Sequence, residues 1–178
     1  NNVALQRDLY RDALRWLSKD DPQAAVKVLQ ASNNLHDEDL WSHSFANWVR
    51  QDREGAIKAV LAIEHEGMRH EVLKSVAHRM AGTDLAKALE WAETLQDEEG
   101  QVALAGVLRE AARSDPQVVA AHLEKIPEGR ARDELIARTS EEWAERDPSG
   151  VLAWAETLGG DERVRAIGEI AGTVCETD

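Results

Sequence analysis

The stretch Asp147-Pro148-Ser149-Gly150-Val151-Leu152-Ala153-Trp154-Ala155-Glu156-Thr157-Leu158-Gly159-Gly160 reads as one short helix with its own start and stop signals. Asp is a preferred N-cap because its carboxylate accepts an unpaired backbone N–H, and Pro fits the first helical position, where its missing donor costs nothing. Val151, Leu152, Ala155 and Leu158 then recur at helical spacing, and the paired glycines end the run. Working outward, Asp-Pro recurs at Asp21-Pro22 and Asp115-Pro116, and Asp52 and Asp84 hold the same phase without the Pro. Successive Asp residues are 31, 32, 31 and 32 apart, and a further step of 31 reaches Asp178. Such regularity marks an internal repeat that organises the chain.

Each unit holds two helices. The first carries Leu85, Ala88, Leu89, Ala92 and Leu95 in the third unit, and breakers are expected to end it at Gly67, at Pro127-Glu128-Gly129 and at Gly159-Gly160. A second helix runs to the next Asp. Its apolar face is Leu40, Trp41, Ser44, Phe45 and Trp48 in one unit, then Val72, Leu73, Val76, Ala77 and Met80, then Ala103, Leu104, Val107, Leu108 and Ala111. The fourth unit gives Leu135, Ile136, Thr139, Ser140 and Trp143. No period-2 run flanked by hairpin signals competes, so the chain is all-α. One hairpin of this size cannot bury its own apolar faces, so neighbours must stack. The expected architecture is a right-handed α-solenoid of about five helical hairpins within one helical-repeat domain. A leading helix lies in 1–20, and the units are 21–51, 52–83, 84–114, 115–146 and 147–178.

Composition narrows the function classes. The 178 residues and 19.7 kDa suit one domain. Lys and Arg number 21 against 34 Asp and Glu, a net charge of −13, which argues against a nucleic-acid partner gripped through its phosphates. No apolar run approaches the roughly 18 residues of a spanning helix, so no membrane insertion is expected. The single Cys175 cannot form an internal disulfide. The chain opens Asn1-Asn2-Val3, with no initiator Met and no targeting pattern, which leaves its compartment open.

With these motifs in view, the segment from Asp147-Pro148 to Trp154 resembles the start of a tetratricopeptide repeat, where Asp-Pro opens the first helix and a Trp follows seven residues after the Asp; Asp84 and Trp91 share that spacing. The period of 31–32 is shorter than the roughly 34 of that family. The run Trp143-Ala144-Glu145-Arg146-Asp147-Pro148 through Trp154-Ala155 is similar to the Trp-rich helical repeats of uncharacterised bacterial proteins. The resemblance implies a solenoid whose first helices line a concave groove, and a generic role in binding partner proteins.

Charge is unevenly spread: residues 1–83 sum to −1 and residues 84–178 to −12. The acids at Asp37-Glu38-Asp39, Asp97-Glu98-Glu99 and Asp161-Glu162 open second helices, where negative charge suits the positive helix end. Another column is not explained by capping. Nine residues after the unit Asp stand Gln30, Leu61, Glu93, Glu124 and Glu156, with Glu90 one turn from Glu93. It is either an ordinary solvated helix face, partly neutralised by Lys125 or Lys87, or an acidic stripe suited to a Lys/Arg-rich segment. The tryptophans are expected to pack, with Trp16, Trp48 and Trp143 wedged near second-helix ends and Trp91 and Trp154 within first helices; a groove-facing Trp would instead anchor a peptide.

Catalytic signals are missing. His65 and His70 are five apart with Gly67 between them, which is not a zinc-binding pair, and the carboxylates around His36 and His43 are explained by capping. Cys175 lies three residues from the end and is expected to be buried or frayed. No nucleophile elbow or phosphate-cradling loop stands out. The expectation is therefore a protein or peptide partner, no enzymatic role, no cofactor and no metal. Glu90, Glu93, Glu124 and Glu156 are its binding residues. Two rival roles are an architectural spacer in an assembly and an accessory helical domain of a larger enzyme.

Overall fold

A computed structural model describes residues 2–32 and 37–177; His36 and Asp178 lie outside the described residues. Among those residues the chain is all-helical, with eleven α-helices and one short 3-10 turn. They are α1 Asn2–Asp20, α2 Pro22–Ala31, α3 Glu38–Gln51, α4 Arg53–Leu61, α5 Glu66–Ala81 and α6 Leu85–Thr94, then α7 Asp97–Ser114, α8 Pro116–His122, the 3-10 turn Leu123–Lys125, α9 Arg130–Ala144, α10 Pro148–Ala155 and α11 Gly160–Thr177. Asp21, Asp52, Asp84 and Asp147 each accept the backbone N–H three residues on, at 2.9–3.1 Å. Asp115 occupies the same cap position without that bond. The short helices α2, α4, α6, α8 and α10 hold 7–10 residues, too few to persist alone in water, so packing supplies their stability.

Two compact units divide the chain, Asn1–Met80 and Ala81–Asp178. In the first, α3 packs against α1, α2 and α4 over a core that includes Leu14, Leu29, Leu40, Trp41 and Phe45. Trp41, Phe45 and Trp48 stack along α3, with ring centres 6.2 and 5.6 Å apart. In the second, α7 packs on α9 and α9 on α11, while α6, α8 and α10 lie against these longer helices. Its core includes Val107, Leu108, Ile136 and Val151, and Trp143 stacks on Trp154 at 5.9 Å.

Local contacts recur every second unit, in step with the alternation of 31 and 32. In the 32-residue units, Arg69 donates to the Ile63 carbonyl and Arg132, 63 residues later, to the carbonyls of Leu123 and Ile126. In units 84–114 and 147–178 the turn passes through a left-handed backbone at Asp97 (φ 51°) and again, 63 residues later, at Gly160 (φ 47°), while in unit 115–146 the positive φ falls at Gly129 (φ 137°). The Thr94 and Thr157 hydroxyls, also 63 apart, each donate to the carbonyl of the preceding Trp91 or Trp154.

Trp143 shows how one side chain couples to the next cap. Its indole lies beside the Asp147 carboxylate, which accepts from the Gly150 N–H and the Ser149 hydroxyl. A Cβ on Gly150 would lie 2.1 Å from Asp147 Oδ2 and 3.3 Å from Trp143 Nε1. Ala in place of helical Gly ordinarily adds up to about 1 kcal/mol. Gly150→Ala is expected instead to lower stability by about 1 kcal/mol through the lost cap, read by thermal melting. Thr139 is the opposite case: its hydroxyl is buried without a partner, and Val107 fills the equivalent place in α7. Thr139→Val is expected to raise stability by about 1 kcal/mol in a denaturant titration, because an unsatisfied polar atom leaves the core.

Several expectations are corrected. Trp16 is 68% exposed, since the face of α1 that carries it is open among the described residues. Trp91 is only half-buried, whereas Trp48, Trp143 and Trp154 are buried as expected. Gly67 does not end a helix: α4 stops at Leu61, and Gly67 sits in the first turn of α5, where His65 Nδ1 accepts the Met68 N–H as a cap. Cys175 is exposed on α11 and is neither buried nor frayed from the helix.

Candidate interaction surface

The four singled-out glutamates all belong to the unit Ala81–Asp178 and are exposed. Glu90 and Glu93 lie on α6, Glu124 lies in the 3-10 turn after α8, and Glu156 caps the C-terminal end of α10. The column nine residues after the unit Asp thus falls where first helices end, not in their middles. Helix C-termini carry partial negative charge, so carboxylates there are unfavourably placed for helix stability. That separates them from the acids in the first turns of α3, α7 and α11, which the helix dipole favours.

One of the two anticipated neutralisations is present. Lys125 Nζ reaches Glu93 Oε1 at 2.5 Å, with His122 Nε2 at 3.9 Å from the same oxygen. Lys87 turns instead to the cap carboxylate of Asp84 at 3.0 Å. Glu90, Glu124 and Glu156 make no ion pair among the described residues. The Lys125 hydrogen bond, then its charge and that of His122, hold the Glu93 carboxyl below the usual carboxylate range. Asp147 is also held low, first by the Gly150 N–H and then by the Ser149 hydroxyl, with the Trp143 indole adding to both. Both groups therefore favour the folded state fully above the ordinary carboxylate range, and that contribution fades as pH falls through it and on to the lowered folded values. Stability is expected to be flat from neutral pH to about 5 and to drop below about 4. Asp147→Asn is expected to flatten part of that acid limb, as followed by urea midpoints across pH.

Beside this ion pair lies a cavity of about 350 Å³, lined by Ala92, Glu93, Leu95, Gly100, Leu104 and Lys125 among others. Gly100 makes room there: a Cβ would lie 2.8 Å from the Leu95 carbonyl oxygen. A counterpart of about 540 Å³ occurs 63 residues earlier, where Leu29, Gln30, Trp41 and Ala62 take the places of Ala92, Glu93, Leu104 and Lys125. The shape recurs but the ion pair does not: Gln30 and Ala62 stand where Glu93 and Lys125 pair, while Glu64 and His65 also line the counterpart.

No family model matches the chain, nor does any curated protein or solved structure. None of the described helices is long and apolar enough to cross a membrane.

Proposed function

We propose that this chain is a protein-interaction scaffold of the α-solenoid type, built from about five hairpins, whose acidic first-helix ends in residues 81–178 bind a Lys/Arg-rich segment of a partner. The observation that carries this reading is the placement of Glu93, Glu124 and Glu156 at helix C-terminal ends, where they cost helix stability, with Glu93 lining an open cavity. The chain-order packing of α7, α9 and α11 supports a stacked array. Recognition works by exchange. The Glu93–Lys125 pair is about half exposed on both sides and holds little free energy, so an incoming cation takes the place of Lys125. Glu90, Glu124 and Glu156 add attraction over a longer range, and an apolar side chain of the partner enters between Leu95 and Leu104. Affinity then rests on that buried anchor, with the charges setting register and on-rate.

The test is calorimetric titration with a peptide that alternates Lys or Arg with Leu. Wild type is expected to bind with a steep loss of affinity at high salt, and a Glu90/Glu93/Glu124/Glu156→Gln variant of unchanged helicity is expected not to bind. Equal binding by both proteins would refute the acidic surface as the site.

A further inference from the structure

We infer that His122 regulates the acidic surface through pH: once protonated, it pairs with Glu93 and closes that carboxylate to a basic partner. The inference rests on the proposed role of Glu93 as a contact for a Lys/Arg-rich segment. His122 breaks the repeat. Seven residues after the unit Asp the other units carry Val28, Ala59, Trp91 and Trp154, all apolar, and only the fourth carries a titratable side chain. Lys125 is a second departure, since ten residues after the Asp the others carry Ala31, Ala62, Thr94 and Thr157. Both departures meet at Glu93. Glu124 holds the same register one unit on, where Trp154 and Thr157 replace His122 and Lys125. A titrating neighbour is thus built in at Glu93 and not at Glu124.

The tautomer fixes what a proton does here. His122 Nδ1 lies 2.9 Å from the Val118 carbonyl oxygen, which can only accept, so Nδ1 carries the ring proton in the neutral form. Nε2 is then a bare lone pair, and it lies 3.9 Å from Glu93 Oε1. Two acceptors make no hydrogen bond, and the separation is longer than one. An added proton has only Nε2 to occupy. It turns the ring into a cation beside the carboxylate, and the gap can close to a charge-assisted hydrogen bond. The side chain is about a quarter exposed, so solvent reaches it. Around the ring, α6 supplies Glu93, the 3-10 turn supplies Glu124 and Lys125, and Asp97 of α7 lines the same cavity. On α9, Arg132 is held by Glu162 and by the carbonyls of Leu123 and Ile126. Glu93 and Lys125 together carry no net charge, and protonation of His122 makes the trio a net cation. An incoming Lys or Arg must then displace two internal cations instead of one. Linkage makes the effect reciprocal: a basic segment that takes Glu93 drives the proton off His122, so affinity falls as pH falls.

Calorimetric titration with an end-capped peptide of alternating Lys and Leu provides the test, at about pH 8 and about pH 6, the range in which histidine changes charge. Wild type is expected to bind about two- to fivefold more weakly at the lower pH, the effect of one partly exposed ion pair, and to release protons there on binding. His122→Gln, with helicity unchanged by circular dichroism, is expected to bind at both pH values as wild type does at the higher one, without proton release. His43, His65, His70 and His78 remain in that variant and serve as its control. Proton–nitrogen correlation spectra of the free protein at the higher pH should show a neutral His122 ring with its proton on Nδ1. Equal wild-type affinity at the two pH values would overturn the inference and leave the acidic surface as the site. So would a pH dependence that persists in His122→Gln, or a neutral ring with its proton on Nε2. Binding at neither pH would refute the acidic surface, and this inference with it.

Discussion

Trp143→Ala is expected to lower stability by about 3 to 5 kcal/mol, the largest loss of any single substitution considered. Trp143 is 8% exposed on α9, stacks on Trp154 of α10, and sets its indole beside the Asp147 carboxylate that caps α10. Removing it opens a cavity between a long helix and the short helix that follows. It also leaves the Trp154 ring without its partner. Trp143→Phe keeps an aromatic ring for the stacking, so it should cost much less, on the order of 1 kcal/mol. Thermal melting measures both. A Trp143→Ala protein that melts like wild type would show that the α9–α10 packing does not depend on this ring.

The second large effect is expected at Arg132. Its guanidinium is only 14% exposed and pairs with both Glu162 oxygens, at 2.6 and 3.2 Å, while Nη1 donates to the carbonyls of Leu123 and Ile126. One side chain thus ties the end of the 3-10 turn to the first turn of α11. Arg132→Ala leaves two carbonyls and a carboxylate short of donors, and about 2 to 3 kcal/mol should be lost. Arg132→Lys should recover little of it, because a point charge cannot span both carboxylate oxygens and the two carbonyls. A double-mutant cycle with Glu162→Gln in urea titrations should give a clear coupling energy. Additive single effects would show that the pair is not coupled.

How much of this was legible in the residues follows from how local each feature is. The Asp caps and the all-helical class depend on neighbours within one or two turns, and the order of residues is enough to reveal them. The alternation of 31 and 32 is visible as spacing. The contacts in step with it are not, because the Arg132 guanidinium reaches back to the Ile126 carbonyl and forward to Glu162, contacts made only once the helices have packed. Trp16 was misread for a related reason. Its place near a second-helix end predicts burial only where a neighbouring helix covers that face, and α1 has none there among the described residues. At the candidate site, the column of acids was legible as a column. The Glu93–Lys125 pair joins residues 32 apart, and the cavity beside it depends on Gly100 approaching the Leu95 carbonyl. Neither is written in any single helix. One signal could have pointed to the cavity: the recurrence of a small or apolar residue, an apolar second-helix residue and a loop residue at a 63-residue offset.

The proposed role is tested most directly by mapping where a basic peptide touches the chain. Backbone amide shifts of the isotopically labelled protein should be followed while a Lys/Arg–Leu peptide is added at low salt. The account predicts shifts confined to Glu90, Glu93, Glu124, Lys125 and Glu156 and to the cavity residues Leu95, Gly100 and Leu104, all reversed by added salt. Shifts centred on the counterpart around Gln30 and Ala62, or no shifts at all, would contradict it.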